Sequence, residues 1–366
     1  MGRHKNVLCA PKRCCGRFAV CRCTRCNQCT CKCRPYSTTH FNGLNNHLPA
    51  FVEPPTVSHY PLRRHIYMQR RQLLRYTTAA TLAASTAALA ACSFAPDYNH
   101  EADDAPRFDV ARVAPARVAW VLSSGGPRGF VHVGVLKALD ELGCKPDLIV
   151  GGSVGALVGA LYACGINGAD LERMALELGI TEMGRLAITG EGRFAGTPIA
   201  ELINRSLSDQ PIEKLKTRFA AAVVAREART PMLFNAGNSG LAVQASCAIE
   251  GLFTPVRVRG LQYVDADLVA PLPVRMARSL GAAKVLAIDA SAHEDKAPEG
   301  ALRYREGDLK KRALTEPDAR AADLTLHPNF GYYVSASREF RQRAIRAGYE
   351  QTMAQAASVK ALHAGA

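Results

Sequence analysis

Two short apolar runs, Val118 to Leu122 and Leu148 to Val150, are each followed by a glycine-rich turn and then by apolar residues at helical spacing. That order predicts strand, turn, helix, strand, turn, helix, with a first helix from about Phe130 to Leu142 whose apolar side holds Val131, Val133, Val135, Leu136 and Leu139. Near-continuous apolar runs of this length, rather than alternating ones, suit strands covered on both faces of a parallel sheet. Farther along, Phe219 to Val224, Pro231 to Phe234 and Lys284 to Ala290 read as strands. Leu171 to Leu178, Pro198 to Leu207 and Leu241 to Ile249 carry helical spacing, and Gly184 to Gly196 reads as an irregular connection. Val256 to Val258 and Gln262 to Val264 form a hairpin around Arg259-Gly260. Residues 292–320 are charged and poor in apolar positions, so they read as a surface excursion, and the Lys310-Lys311-Arg312 run within them as a solvated face. Ala322 to Leu326 is a last strand and Ser335 to His363 a closing helix.

The fold class that follows is α/β, with a mainly parallel central sheet flanked by helices, in one domain over 115–366 with a core at 118–291. A hydrophobic share of 48% in 366 residues supports a sizeable core.

The formal net charge of +14 suggests an anionic partner until it is counted by segment. Residues 1–75 hold 14 Lys or Arg and one acid, Glu53, and the remainder is close to neutral, so a nucleic-acid partner is not expected. Nine of the 13 cysteines fall between Cys9 and Cys33. An odd set without two separated Cys-x-x-Cys pairs fits neither a zinc tetrahedron nor a disulfide framework, and residues 1–67 read as a disordered leader or an over-long gene model.

From Met68 the chain resembles a bacterial lipoprotein signal over 68–92: Arg70, Arg71 and Arg75 form a basic start, Leu82 to Ala88 an apolar stretch, and Leu89-Ala90-Ala91-Cys92 a small-residue cleavage site ending in cysteine. The Arg-Arg pair also resembles a twin-arginine export signal. The lipoprotein resemblance implies acylation of Cys92, a lipid anchor on the periplasmic side of the bacterial cell envelope, and, with Ser93 next, sorting to the outer membrane. Residues 93–114, polar and proline-punctuated, read as a linker.

The turn Gly151-Gly152-Ser153-Val154-Gly155 is a Gly-x-Ser-x-Gly nucleophile elbow, in which the flanking glycines Gly151 and Gly155 let a strand turn sharply into a helix. Gly125-Gly126-Pro127-Arg128-Gly129 stands at a helix start, where outward amides suit a developing oxyanion. A phosphate-binding turn would call for Gly-x-Gly-x-x-Gly and a following acid, and neither is present. His132 reads as a packing residue.

These two turns, with Ala245-Ser246-Cys247-Ala248-Ile249, Gly251-Leu252-Phe253 and Tyr263 to Val274, resemble the patatin-like phospholipase family over roughly Val118 to Ser291. The resemblance implies a three-layer sandwich related to the α/β-hydrolases and a serine lipid acyl hydrolase, a carboxylic ester hydrolase acting on membrane lipids or lipid-like esters. It implies Ser153 as nucleophile, Asp265 as its dyad partner and the amides of Gly125, Gly126, Pro127, Arg128 and Gly129 as the oxyanion hole. This chemistry requires no metal and no cofactor. His293, His327 and His363 come late enough for a Ser, Asp, His order and keep a triad open as an alternative.

The family's Asp-Gly-Gly/Ala motif is here Asp265-Ala266-Asp267, and Glu250 and Ser124 depart from the usual proline and glycine. If position 266 needs a positive φ, alanine costs about 1 kcal/mol or more. Asp267 is then an alternative acid, or a charge that raises the pKa of Asp265. The same motif leaves open a membrane-tethered, catalytically weak scaffold that binds lipid.

Overall fold

The computed structural model describes residues 99–100, 102–177, 185–186 and 194–365. All of them lie in the second of two units, Met1–Arg70 and Arg71–Ala366. The cysteine-rich leader, the lipoprotein signal with Cys92, and most of the 184–196 connection fall outside the described residues.

The strands are β1 (Asn99–His100), β2 (Ala116–Leu122), β3 (Leu148–Gly152), β4 (Arg185–Leu186), β5 (Phe194–Ala195), β6 (Arg218–Ala225), β7 (Thr230–Phe234), β8 (Val256–Val258), β9 (Leu261–Asp265), β10 (Ala282–Ile288) and β11 (Leu324–Leu326). The helices are α1 (Phe130–Glu141), α2 (Val154–Ala163), α3 (Gly168–Glu177), α4 (Thr197–Ser206), α5 (Ser239–Ser246), α6 (Val274–Ser279), α7 (Arg305–Ala321), α8 (Arg338–Ala354) and α9 (Ala356–Ala364). The main sheet runs β1-β8-β9-β6-β3-β2-β10-β11, with β7 also paired to β6. From β6 through β3, β2 and β10 to β11 every pairing is parallel, and β7 and β9 run antiparallel to β6. This is the α/β architecture expected of the chain, a mostly parallel sheet between two helical layers.

Side chains alternate across the pleat. Val118, Trp120, Leu122, Ile149, Leu286 and Ile288 pack with α1 and α2 on one face. Ala119, Val121, Leu148, Val150, Val285 and Ala287 pack with α6 on the other. Two layers of cover explain why these strands read as unbroken apolar runs. On the first face α1 and α8 touch backbone to backbone: a Cβ at Gly134 would lie 1.8 Å from Ile345 O, and one at Gly348 would lie 2.2 Å from Val131 O.

Three expectations change. The linker reading of 93–114 does not describe its visible part: β1 pairs with β8, Ala105 is buried and Arg107 pairs with Ala236. The closing helix is two helices that meet at Gln355. The 292–320 excursion is built structure, with 3-10 turns at Glu294–Lys296 and Glu299–Tyr304 and then the 17-residue α7. Its apolar pattern is weak because the inward positions Lys311, Thr315 and Asp318, at i, i+4 and i+7, are polar; Thr315 and Asp318 are buried, and Asp318 is paired with Arg275 at 2.9 Å.

Candidate active site

The site forms where two strands meet end to end. Along β6, Gly151 and Gly152 of β3 pair with Ala221 and Ala222, while Asp265 of β9 pairs with Val223. β7 pairs with β6 throughout 221–225, so it occupies one edge, and β3 and β9 must share the other. β3 arrives in one direction and β9 in the opposite one. Their last residues therefore abut, and Ser153 meets Asp265.

Ser153 has φ 54 and ψ −126, a backbone that costs a non-glycine residue about 1–3 kcal/mol. Its surroundings hold it there. A Cβ at Gly151 would lie 2.4 Å from Gly155 O, and one at Gly155 would lie 2.3 Å from Leu122 O. The Ser153 amide donates to Ser246 Oγ at 2.9 Å, and that hydroxyl donates to Ala222 O at 2.6 Å. Ser246, at the end of α5, thus ties the elbow to β6. Family resemblance quoted this serine without giving it a role, and only the fold shows its two bonds.

Ser153 Oγ donates a 2.5 Å hydrogen bond to Asp265 Oδ2, and both residues are buried. Asp265 Oδ1 accepts from the Asp267 amide at 2.8 Å. Burial first, and the nearby Asp267 charge second, push the Asp265 carboxyl up from 3.8 to about 7, against the opposing pull of its hydrogen bonds and of Lys311. A carboxylate in that range can exchange a proton near neutrality.

Ala266 lies in the 3-10 turn Ala266–Leu268 and is not among the positive-φ residues, so the backbone cost considered for it does not arise. Asp267 does not take the partner place. Its Oδ1 accepts from Ser124 Oγ and, at 2.5 Å, from Lys311 Nζ of α7. Lys311 keeps the Asp267 carboxyl below its usual range despite partial burial. Lys311 is therefore half-buried and ion-paired, not part of a solvated face. Ser124 and Asp267, both departures from the family pattern, bond to each other. Glu250, the third, pairs with Arg229 at 2.5 Å on the surface.

The glycine turn after β2 packs on the elbow: a Cβ at Gly129 would lie 2.2 Å from Val154 Cγ1, and Ser124 N donates to Pro271 O at 2.8 Å. Within the turn the donor set is smaller than expected. Pro127 has no N–H, and the Arg128 amide donates to Gly125 O at 3.1 Å. Gly125 and Gly126 remain as candidate donors, since the Gly129 amide lies inside the 3-10 turn Gly126–Gly129, and the side of Gly126, at φ 51, faces open space. The Arg128 side chain is turned away to the carbonyls of Gly331 and Tyr332 and packs over Phe330 at 5.4 Å.

Among the described residues no histidine is hydrogen-bonded to Ser153 or Asp265 to complete a triad. His132 is buried with Nε2 2.9 Å from Ser123 O, and burial pushes its pKa down to about 4, so it props the loop as a neutral ring. His293 and His327 stack on each other at 3.8 Å, and His327 Nε2 lies 3.1 Å from Ser291 O. His363 accepts from Trp120 Nε1 at 3.0 Å.

Residues 120–278 match the patatin-like phospholipase family. Patatin-like phospholipase domain-containing protein 6 of Homo sapiens is 31% identical over 186 residues, 49% of this chain and 14% of that protein. Lysophospholipase NTE1 of Coccidioides immitis is 30% identical over 195 residues, 52% of this chain and 12% of that protein. An NTE family protein of Mycobacterium bovis is 29% identical over 180 residues, 49% of this chain and 50% of that protein. The chain thus spans about one-seventh of the length of the first of these relatives and half that of the last.

Proposed function

We propose, from the premise that residues 120–278 form a patatin-like phospholipase domain, that this chain is a serine lipid acyl hydrolase acting on phospholipids, lysophospholipids or related carboxylic esters. The observation that carries the reading is the 2.5 Å bond from Ser153 Oγ to a buried Asp265 whose pKa stands at about 7.

In the proposed reaction Asp265 accepts the hydroxyl proton as Ser153 Oγ bonds to the ester carbonyl carbon, and the carbonyl electron pair moves onto its oxygen. Amides of the turn after β2, those of Gly125 and Gly126, steady that oxyanion. Collapse breaks the bond to the leaving alcohol, which takes the proton back from Asp265 and leaves an acyl-Ser153. Water then gives its proton to Asp265, its oxygen attacks the acyl carbon, and the fatty acid leaves as the proton returns to Ser153. A single carboxylate shuttles the proton in both halves, which asks for a pKa near the working pH.

The experiment is hydrolysis of a short soluble ester, a phospholipid and a lysophospholipid by the parent chain and by Ser153→Ala, Asp265→Asn and Asp267→Asn. Loss of turnover in the first two variants with retention in the third supports the dyad. Full activity in Ser153→Ala overturns it. The alternative, a membrane-tethered, catalytically weak scaffold that binds lipid, rests on Asp265-Ala266-Asp267, of which Ala266 is not among the positive-φ residues; esterase activity untouched by Ser153→Ala would favour it.

We further propose that Cys92 is acylated and anchors the domain on the periplasmic side of a bacterial envelope membrane. The support is the sequence of 68–92 alone. Metabolic labelling with a tagged fatty acid, lost in Cys92→Ser, is the test, and unlabelled parent chain would end the proposal.

A further inference from the structure

The strands β2, β3 and β10 finish at the end of the sheet where Ser153 stands, and β11 runs parallel to them. Residues 289–304 follow β10 at that end, α7 runs back along the sheet, and residues 327–337 follow β11 at that end again. Named bonds draw these segments around the site. Lys311 of α7 reaches Asp267 at 2.5 Å, the Tyr332 hydroxyl donates to Asp308 of α7, and Arg128 of the glycine turn donates to Gly331 O at 3.2 Å. A Cβ at Gly300 would lie 3.3 Å from the Tyr333 hydroxyl, which joins the 299–304 turn to the 330s loop.

Large apolar side chains stand out of these segments into solvent. Leu268, Leu302, Tyr304, Leu309, Tyr333 and Val334 are 45% to 63% exposed, and together they are half of the 12 exposed large apolar residues among those described. Leu268 directly follows Asp267, and the others rise from the three segments just placed. Basic groups are set among them. Residues 299–312 hold five basic and three acidic side chains, and Arg303 and Arg305 pair with no carboxylate among the described residues. The Arg303 guanidinium lies 4.6 Å over the Tyr304 ring. Leucine and tyrosine beside unpaired arginines match a surface whose apolar groups enter the acyl boundary while its cations meet phosphate head groups.

We propose that this rim is a bilayer-docking surface that seats the Ser153 end of the sheet on an anionic phospholipid membrane. The choice of a lipid partner rests on the hydrolase reading, but the surface itself does not depend on Ser153. A bilayer suits it better than a protein because the apolar residues rise separately from several segments at the end of the sheet that carries Ser153, with arginines set among them. Apolar insertion and attraction of arginines to anionic lipid then add to whatever anchor Cys92 supplies.

The test is vesicle flotation with the full chain carrying Cys92→Ser, to remove an acyl anchor, and Ser153→Ala, to prevent hydrolysis. Vesicles are phosphatidylcholine alone or phosphatidylcholine with phosphatidylglycerol as a minor component. The parent chain should float with the anionic vesicles, and Leu302→Glu/Leu309→Glu should lower its partition by about tenfold or more. Arg303→Gln/Arg305→Gln should lower binding to anionic vesicles only. Val110→Glu, in the turn before β2 at the other end of the sheet and 74% exposed, should change nothing. With Ser153 restored, the leucine variants should hydrolyse a short soluble ester at the parent rate, which shows that they fold. A parent chain that does not float, or a Val110 variant as impaired as the leucine pair, overturns the proposal. A chain that floats but hydrolyses no ester keeps the docking surface and removes the hydrolase reading.

Discussion

Lys311 Nζ stands 2.5 Å from Asp267 Oδ1, and through that contact a helix remote in sequence reaches the electrostatics of Ser153 and Asp265. Asp267 is two residues from Asp265, donates its amide to Asp265 Oδ1, and holds a charge that Lys311 stabilises. Asp267 raises the Asp265 pKa and Lys311 lowers it, so the pair acts as a balance on the proposed base.

That balance sets the pH dependence. Asp265 must be ionised to take a proton from Ser153, so turnover of a soluble ester should rise with pH and level off above about 7. Asp267→Asn removes a negative neighbour and should move the rising limb to lower pH. Lys311→Met removes a positive one and should move it to higher pH, each by on the order of one unit. A pH profile of kcat/KM for the two variants decides the matter; limbs that move the same way would contradict the balance.

A raised carboxyl also carries a cost in stability. The folded pKa of Asp265 is about 7 and the ordinary value is 3.8, so the folded protein binds this proton more tightly than the unfolded chain. The penalty is absent well below pH 4, grows as pH climbs between the two values and is complete above 7. Asp265→Asn should therefore match the parent near pH 4 and exceed it at pH 8, by roughly 1–4 kcal/mol. Thermal melts at the two pH values measure this, and a variant less stable than the parent at pH 8 would argue against a buried, destabilised carboxylate.

Much of this site could be read in the chain, and what could not has physical causes. The strands around Trp120, Ile149 and Leu286 are buried on both faces, so their composition alone marks them. The turn at Ser153 is marked by glycines that geometry demands, since a Cβ at Gly155 would collide with Leu122 O. Helix α7 is hidden because its inner face is made of Lys311, Thr315 and Asp318, and an apolar period cannot reveal a helix that packs through ion pairs. The end-to-end meeting of β3 and β9 along β6 is a matter of register, which no local pattern encodes. Ser246 stands in a stretch that carries the family resemblance, but its bond from the Ser153 amide joins residues 93 apart in sequence, which no local pattern marks.

Ser246 gives its own prediction. Its hydroxyl accepts from Ser153 N and donates to Ala222 O, and Ser246 itself is fully buried. Ser246→Ala strands a buried donor and a buried acceptor, which should lower stability by about 1–3 kcal/mol. The elbow loses its only side-chain tie to β6 among the described residues, so kcat should fall more than KM changes. Ser246→Thr keeps the hydroxyl and should recover part of the rate; unchanged melting and unchanged turnover in Ser246→Ala would show the tie to be idle.

The two glycine turns should respond differently to a single methyl group. At Gly155 the added carbon would sit 2.3 Å from Leu122 O and 2.6 Å from Ser123 O, both backbone atoms that cannot step aside. Gly155→Ala must therefore push the elbow away from β2 and from the amides after it, and should abolish ester turnover while lowering the melting temperature. At Gly126 nothing lies within 4 Å of the added carbon, and the only cost is the φ of 51. Gly126→Ala should fold, with a loss of about 1–2 kcal/mol, and should retain measurable turnover. Relative rates and melting temperatures of the two variants test whether the site is held by contact at the elbow, as these distances require, or by flexibility of the loop, in which case Gly126→Ala would be the more damaging change.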